Sequence, residues 1–210
     1  MDDQPAGIDV NHWKPIKDVF QVIAAGIKIL GIKGTEGETF TDPTLADHLA
    51  AARDNPFSLV WIYCVARPGG SATHARRLSD LVGPLRPNEC LVLDVERGSG
   101  VDLGYVDGFY GALAADGLLT GHDMIYGSKA TLPWPAWPRA ATIALHAPRY
   151  KSGDQLPQLP PAWSAITLHQ WTDGGATGDP YACPGVGSCD ASRFLGTQAE
   201  LDAWVTRAPF

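Results

Sequence analysis

Two acidic residues at the end of an apolar run are the part of the sequence best suited to chemistry. The run spans residues 91–96, with the sequence LVLDVE, and predicts a buried β-strand. Because side chains alternate along a strand, Asp94 and Glu96 share one face, with Cα atoms roughly 6–7 Å apart. Burying two carboxyls side by side favours a state in which one keeps its proton. Such a pair suits glycoside cleavage, although a strand end with two solvated charges fits these six residues equally well.

The elements that must position this pair alternate between strand and helix. Apolar runs predict strands over 7–10, 27–32, 59–64, 91–95, 124–126, 142–146 and 166–171. Amphipathic stretches predict helices over 15–25, 43–53, 71–85 and 102–118, with a last helix over 197–207. This repeat predicts a parallel sheet, either doubly wound or closed into a barrel. After residue 126, two proline-rich segments leave no room for crossover helices, so we expect strands joined by loops.

Polar and aromatic residues stand where most of the predicted strands end. In a parallel barrel, functional residues gather at the carboxyl ends of the strands. The residues at these ends are Asp9, Lys33, Glu36, Tyr63, Asp94, Glu96, Tyr126, His146, His169 and Gln170. Acids and aromatics at so many strand ends predict a cleft for a polar, ring-shaped ligand.

Composition narrows the classes of protein to which the chain can belong. Its 210 residues are 45% hydrophobic and 19% charged, as in soluble globular proteins, and we expect one domain over 1–210. A net charge of −7 and a pI near 5.2 argue against a nucleic-acid partner. No apolar run approaches the ~18 residues of a membrane span, and residues 1–5 are acidic rather than signal-like. We therefore expect no membrane insertion and no signal peptide.

The four cysteines predict neither a disulfide scaffold nor a metal site. Cys64 and Cys90 lie in strand-like runs, where a buried free thiol is the default. Cys183 and Cys189 flank a loop of proline and glycine, and either a disulfide or two thiols fits that spacing. No cysteine or histidine cluster has zinc spacing, so we expect no metal and no other cofactor.

Several short blocks, in this order, resemble glycoside hydrolase family 25, the Chalaropsis-type lysozymes. The early blocks are GIDVNHW at 7–13, GIKGTEG at 31–37 and LDVE at 93–96; the later ones are MIY at 124–126, LHAPRY at 145–150, HQW at 169–171 and CDASRF at 189–194. The resemblance covers about residues 7–196. It implies a single barrel-like (β/α)5β3 domain, in agreement with the strand–helix pattern. It also implies a muramidase that cuts the β-1,4 bond between N-acetylmuramic acid and N-acetylglucosamine with retention of configuration.

The resemblance assigns separate roles to the two carboxyls. Glu96 matches the general acid, which we expect in the drier part of the cleft, protonated until it donates to the leaving oxygen. Asp94 matches a second carboxylate that stays ionised and stabilises positive charge at the sugar carbon. It acts either as a nucleophile or by orienting the substrate's 2-acetamido group, which is the interpretation we favour. Glu36 matches a further block, where an ion pair with Lys33 is at least as plausible as a catalytic part.

Four more residues match positions of the family's cleft. Asp9 and Asp190 correspond to two additional acids that add negative potential and hydrogen-bond the substrate, although Asp190 would also suit a local turn cap. Tyr63 and Tyr126 are predicted to stack on a sugar or to hydrogen-bond a catalytic acid, with a place in the core as the alternative. The sequence leaves open whether Trp13 and Trp171 are core or cleft wall.

The chain departs from the family at His146 and His169, where we expect tryptophans. Because the aromatic walls of the cleft are altered, the resemblance says less about the fine substrate specificity than about the reaction itself. Two histidines without further ligands do not predict a metal.

Three functional classes remain open from the sequence. The leading hypothesis is a bacteriophage endolysin that acts on peptidoglycan glycan strands as a monomer, is made in the host cytoplasm and reaches the wall after release. No separate wall-binding module is seen. A bacterial autolysin or toxin is the closest alternative. A barrel that binds glycans without cutting them, and a chitinase-like hydrolase, are the others.

Overall fold

Eight strands close into a barrel that carries helices on its outer surface. The computed structural model describes residues 4–150 and 155–208. The strands are β1 (Ala6–Val10), β2 (Ile27–Glu36), β3 (Phe40–Thr41), β4 (Leu59–Val65), β5 (Glu89–Val95), β6 (Met124–Gly127), β7 (Ala144–Pro148), β8 (Leu168–Thr172), β9 (Ala182–Cys183), β10 (Gly187–Ser188) and β11 (Asp190–Phe194). The helices are α1 (Val19–Ala24), α2 (Leu45–Arg53), α3 (Ser71–Val82), α4 (Leu103–Ala115) and α5 (Gln198–Val205), with a 3-10 turn at Pro138–Ala141.

Closure of the barrel depends on β1, which pairs with both β2 and β11. Around the barrel the order is β1, β2, β4, β5, β6, β7, β8 and β11, while β3 extends β2 as a short hairpin. All barrel neighbours are parallel except β11, which is antiparallel to β8 and β1. Because β11 runs the other way, it begins at the edge where the parallel strands end. Asp190 at its start therefore lies in register with Asp9.

The (β/α)5β3 prediction is confirmed, with differences at individual elements. The first helix begins at Val19 rather than residue 15, because the Asp18 carboxylate caps it by accepting hydrogen bonds from Phe20 N and Gln21 N. Strand β2 continues beyond residue 32 to Glu36 through an irregularity in its pairing with β4. Strand β11 was absent from the predicted strands since its sequence, DASRF, has no continuous apolar run. Between β6 and β7 the only helical segment in the described chain is the 3-10 turn, as the prolines predicted.

Alternation along β5 sends the paired acids into the mouth of the barrel. Leu91, Leu93 and Val95 belong to the cluster that packs under the outer helices. Cys90 and Val92 belong to a second cluster with the inner side chains of the other strands. Asp94 and Glu96 share the face of this inner set. The predicted strand thus aims both carboxyls at the carboxyl-end opening of the barrel.

A close approach beside this opening requires glycine at position 31. A Cβ built on Gly31 would lie 2.4 Å from the Trp61 ring, so no larger residue fits without displacing the indole. Trp61 is itself buried and lines the cleft next to the acids. Gly31 on β2 thereby helps to form the wall of the site.

Candidate active site

All six residues predicted as site residues line one cleft of about 650 Å³ at the carboxyl ends of the strands. These are Asp9, Tyr63, Asp94, Glu96, Tyr126 and Asp190. The cleft also includes residues that the sequence did not single out as binding groups, among them Asn11, Trp61 and Tyr150. Folding thus brings acids from β1, β5 and β11 together. The acids of β1 and β5 meet because parallel strands end at the same edge, whereas Asp190 stands at the start of the antiparallel strand β11.

Asp94 is the more enclosed of the paired acids. Its side chain is only 8% exposed, and its Oδ1 atom has no hydrogen-bond partner among the described residues. Burial, then the charges of Glu96 and Asp9, hold the pKa of Asp94 well above its usual range, although Lys33 and Arg67 act in the opposite direction. A buried acceptor without a donor is costly. It therefore suits a ligand that brings an N–H or O–H group.

The expected burial of the two acids is reversed. The resemblance predicts Glu96 in the drier part of the cleft, but Glu96 is exposed and Asp94 is buried. The reason is that β5 ends at Val95, so that Glu96 stands at the rim where the chain leaves the barrel. Ser99 holds this rim through a hydrogen bond from Glu96 N to Ser99 Oγ (3.0 Å) and one from Ser99 N to Glu96 O (3.1 Å).

The other two acids form a pair that a lysine partly neutralises. Burial and then the neighbouring Asp190 raise the pKa of Asp9 well above its usual range, and Lys14 opposes this shift. Lys14 Nζ lies 2.8 Å from Asp190 Oδ1 and also donates to Asp173 O at 3.3 Å. Asp190 therefore forms an ion pair with a residue that follows the neighbouring strand β1, instead of the local turn cap considered above. Sequence reasoning missed Lys14, which has no signal beyond its position just after the strand that carries Asp9.

Tyr126 belongs to a hydrogen-bond network that ends on Asp9. Its hydroxyl donates to Gln170 Oε1 at 2.5 Å, and the Tyr150 hydroxyl donates to the same oxygen at 2.9 Å. Gln170 Nε2 in turn donates to Asp9 Oδ2 at 3.2 Å. On the other side, burial and the charges of Asp9 and Asp94 raise the pKa of Tyr63 well above its usual range, and the Asn11 side chain acts in the opposite direction. Both tyrosines are nearly buried and line the cleft, so each combines packing with polar contact.

Tyr126→Phe is expected to lower the turnover of glycan about tenfold, because Gln170 loses one of the donors that orient it toward Asp9. The same change should reduce the free energy of unfolding by about 1 kcal/mol. Turnover on a glycan substrate and urea unfolding measure the two effects. Tyr181→Phe, on a loop outside the cleft, is the control. If turnover in Tyr126→Phe is unchanged, the hydrogen-bond network through Gln170 does not contribute to catalysis.

The two histidines have different surroundings. His146 lies in the floor of the cleft, its ring centroid 5.1 Å from that of Trp61 and 5.0 Å from that of Tyr126. Its Nε2 is 2.9 Å from Ser192 Oγ, and burial lowers the pKa of His146 to about 3. His169 contacts the Arg149 carbonyl from outside the cleft lining. Within residues 4–150 and 155–208, no three His, Cys, Asp or Glu side chains are grouped to hold a metal.

The remaining open questions from the sequence have structural answers. Trp13 is 82% exposed, so it is not core, whereas Trp171 is half-buried against Tyr181. Glu36 forms the expected ion pair with Lys33, at 2.7 Å, and a second with Arg67, also at 2.7 Å. Burial acts to raise the pKa of Glu36, but the hydrogen bonds from these two cations lower it overall.

The state of the cysteines decides between the two alternatives that the sequence left open for Cys183 and Cys189. Cys64, Cys90, Cys183 and Cys189 are all buried free thiols, so Cys183 and Cys189 are two thiols rather than a disulfide in this structure.

In the part of the chain that the structure describes, none of the helices has the length and apolar content needed to cross a membrane.

A closed barrel with paired carboxyls at the end of one strand is an arrangement typical of glycoside hydrolases. The family model for Glycosyl hydrolases family 25 matches residues 8–114, which is more than half of the chain and includes Asp9, Asp94 and Glu96. The chain belongs to this family and is a glycosidase. No curated protein sequence matches it.

Solved structures agree on the fold. A muramidase from Acremonium alcalophilum is 23% identical with a TM-score of 0.80, covering 96% of this chain and 99% of that one. A lysozyme from Streptomyces coelicolor is 23% identical with a TM-score of 0.78, covering 96% and 97%. The catalytic domain of endolysin ply40, from bacteriophage P40 of Listeria monocytogenes, is 14% identical with a TM-score of 0.69, covering 97% and 98%. At these identities the likeness is one of fold.

Proposed function

We propose that the chain is an N-acetylmuramidase that hydrolyses the β-1,4 bond between N-acetylmuramic acid and N-acetylglucosamine in peptidoglycan. The observation that carries the proposal is that Asp94 and Glu96 open from one face of β5 into the cleft of a family 25 barrel. In this proposal Glu96 is the general acid and base, and Asp94 stabilises and orients the substrate's acetamido group. The names of the Acremonium and Streptomyces structures, a muramidase and a lysozyme, support the substrate class.

Substrate binding prepares the two carboxyls for different tasks. The acetamido N–H of the sugar donates to Asp94 Oδ1, the acceptor that has no partner among the described residues. A hydrogen bond to the ionised form favours that form, so binding offsets the burial that raises the pKa of Asp94. The sugar also covers Glu96 at the rim and removes water from its carboxyl. Binding thereby favours the ionised state that the proposed role of Asp94 requires.

Bond cleavage then follows with retention of configuration. Glu96 donates its proton to the glycosidic oxygen, and the C1–O bond breaks as the acetamido carbonyl oxygen attacks C1. The resulting cyclic oxazolinium ion carries a positive charge that the Asp94 carboxylate stabilises. Glu96, now ionised, takes a proton from water, and the water oxygen opens the ring at C1. The acetamido N–H of the substrate satisfies Asp94 Oδ1, the acceptor without a partner among the described residues. This supports an orienting role for Asp94 over direct attack on C1.

The other cleft residues hold the sugar and adjust the pair. Asp9 and Asp190 add negative potential that favours the positively charged transition state, while Lys14 limits their mutual repulsion. Tyr63 and Tyr126 present ring surface and hydroxyl groups to the sugar from opposite sides.

Purified peptidoglycan digested by the protein and reduced with borohydride tests the proposal. New reducing ends on muramic acid, recovered as muramitol, are the expected result. Ends on glucosamine would make the chain a glucosaminidase or a chitinase-like enzyme. Absence of new ends, with retained binding to the wall, would favour the glycan-binding alternative.

For the biological role, we propose a bacteriophage endolysin that is made in the host cytoplasm, acts as a single-domain monomer and reaches the wall after release. The likeness in fold to the catalytic domain of the Listeria phage endolysin supports this role. Co-expression with a pore-forming membrane protein should lyse bacterial cells, and expression of the chain alone should not. Lysis without the pore-forming protein would favour a bacterial enzyme with its own route of export.

A further inference from the structure

A second groove lies directly beside the cleft and shares Lys33 with it. It has about 1050 Å³ of open space. Its walls come from the β1–α1 and β2–β3 loops and from the chain after β4, including His12, Trp13, Phe40, Arg67 and Pro68. Because Lys33 borders both spaces, the groove continues the cleft along the rim of the barrel.

Three aromatic rings form a connected surface along this groove. Trp13 is 82% exposed and Phe40 is 38% exposed. The His12 ring stands between them, with centroids 4.5 Å from Trp13 and 5.7 Å from Phe40. Single exposed aromatics are ordinary on protein surfaces, but a run of rings at the mouth of a cleft marks a place for a ligand.

Hydrogen bonds hold the His12 ring and the backbone of Trp13 in place along this surface. His12 Nδ1 lies 2.7 Å from Asp42 Oδ2, and the same carboxylate oxygen accepts from His12 N at 3.1 Å. Thr44 in turn donates to Asp42, which is 1% exposed. Trp13 N donates to Asn11 Oδ1 at 2.8 Å, and Asn11 also lines the cleft. A fixed central ring and a fixed backbone lower the conformational entropy that is lost when a ligand binds.

The charges around the groove balance one another. Lys33 Nζ stands 5.3 Å from the Phe40 ring centroid and is paired with Glu36, which also pairs with Arg67. Glu38 adds a further negative charge. With its cations already paired, the groove favours an uncharged polar ring over the carboxylates of a peptide. Aromatic faces with polar groups around them suit the apolar face and hydroxyls of a pyranose.

We propose that this groove is an outer subsite, in which Trp13 stacks on a sugar of the same glycan strand that lies beyond the two sugars at the scissile bond. This role rests on the proposed muramidase function. It makes long glycan strands better substrates than short ones, through KM rather than kcat, because the outer sugar is bound equally in the ground state and the transition state.

Trp13→Ala tests the proposal, with Phe20→Ala as the control. Phe20 is 75% exposed on α1 and lies outside the cleft and the groove, so it matches the loss of an exposed aromatic ring. Both variants and the wild type are assayed on intact peptidoglycan, on long glycan strands stripped of stem peptides and on the shortest oligosaccharide that the wild type cleaves. We expect Trp13→Ala to raise KM about tenfold on the strands, with kcat kept and the oligosaccharide unaffected. Trp13→Phe should restore part of the loss.

The outcomes separate this role from the proposed function. If the wild type leaves the strands intact, the muramidase function itself fails. If the wild type cleaves them and Trp13→Ala behaves like Phe20→Ala, the outer subsite is wrong. An equal loss on strands and on the short oligosaccharide would assign Trp13 to the scissile pair instead. A loss confined to peptide-bearing peptidoglycan would make the occupant a stem peptide and overturn the proposal.

Discussion

Glu96→Gln should lower the turnover of peptidoglycan by about a thousandfold or more, the largest loss expected from any single substitution in this chain. The glutamine keeps the size of the side chain but has no proton to donate to the leaving oxygen. Because Glu96 is exposed at the rim and only its backbone takes part in the turn with Ser99, the melting temperature should stay within about 1 °C of the wild type.

Release of reducing ends and thermal unfolding, measured on the same preparation, check this prediction. Asp80→Asn, which also removes one exposed negative charge but on α3 far from the cleft, is the control. If Asp80→Asn keeps full activity, the loss of turnover in Glu96→Gln does not come from the change in net charge. Near-wild-type turnover in Glu96→Gln would show that another group protonates the leaving oxygen.

Asp94→Asn should combine a loss of activity with a gain in stability. We expect turnover to fall about a hundredfold to a thousandfold, because a neutral amide cannot stabilise the positive charge that develops at the sugar carbon. The free energy of unfolding at neutral pH should rise by about 1–3 kcal/mol, since the variant no longer holds an ionisable carboxyl buried beside the charges of Glu96 and Asp9. For a chain of this size that corresponds to about 2–12 °C in melting temperature.

The sign of the pH dependence follows from the direction of the shift. Burial raises the pKa of Asp94 in the folded protein, so the folded state holds this proton more tightly than the unfolded state does. The resulting stabilisation is complete below about pH 4, where the unfolded carboxyl is also protonated, and is lost as the pH rises through the raised pKa of the folded protein. The advantage of Asp94→Asn over the wild type should therefore grow from pH 4 toward neutral.

Urea unfolding of both proteins across this pH range provides the measurement. Asp80→Asn, which removes an exposed carboxyl on α3 far from the cleft, is the control in this series. A stability difference between Asp94→Asn and wild type that stays constant with pH would contradict the burial of an ionisable Asp94.

The sequence predicted the architecture because each local signal agreed with the barrel. Alternation in β5 correctly assigned Asp94 and Glu96 to one face, and the placement of functional groups at strand ends brought Asp9, Tyr63 and Tyr126 to the same cleft. Prolines after residue 126 correctly predicted the loss of crossover helices. These features depend on periodicity and on local backbone constraints, both of which are visible in a single sequence.

Features that depend on the direction of β11 and on contacts distant in sequence could not be predicted. The reversal of β11 brings Asp190 beside Asp9 on the neighbouring strand β1, and the ion pair with Lys14 follows from that contact between residues distant in sequence. The order of burial was wrong for the paired acids, because it depends on where β5 ends relative to the neighbouring strands. The exposure of Trp13 likewise depends on how the β1–α1 loop leaves the barrel, and no pattern within the loop determines it.

The anomer that is released first from a glycan strand tests the central claim most directly. If Glu96 and Asp94, neighbours on one face of β5, cleave the bond with help from the substrate's acetamido group, proton NMR during the first minutes of digestion should detect the β-anomer of the new muramic acid end before mutarotation. Initial release of the α-anomer would contradict the account, because inversion requires a water molecule between two well-separated carboxyls.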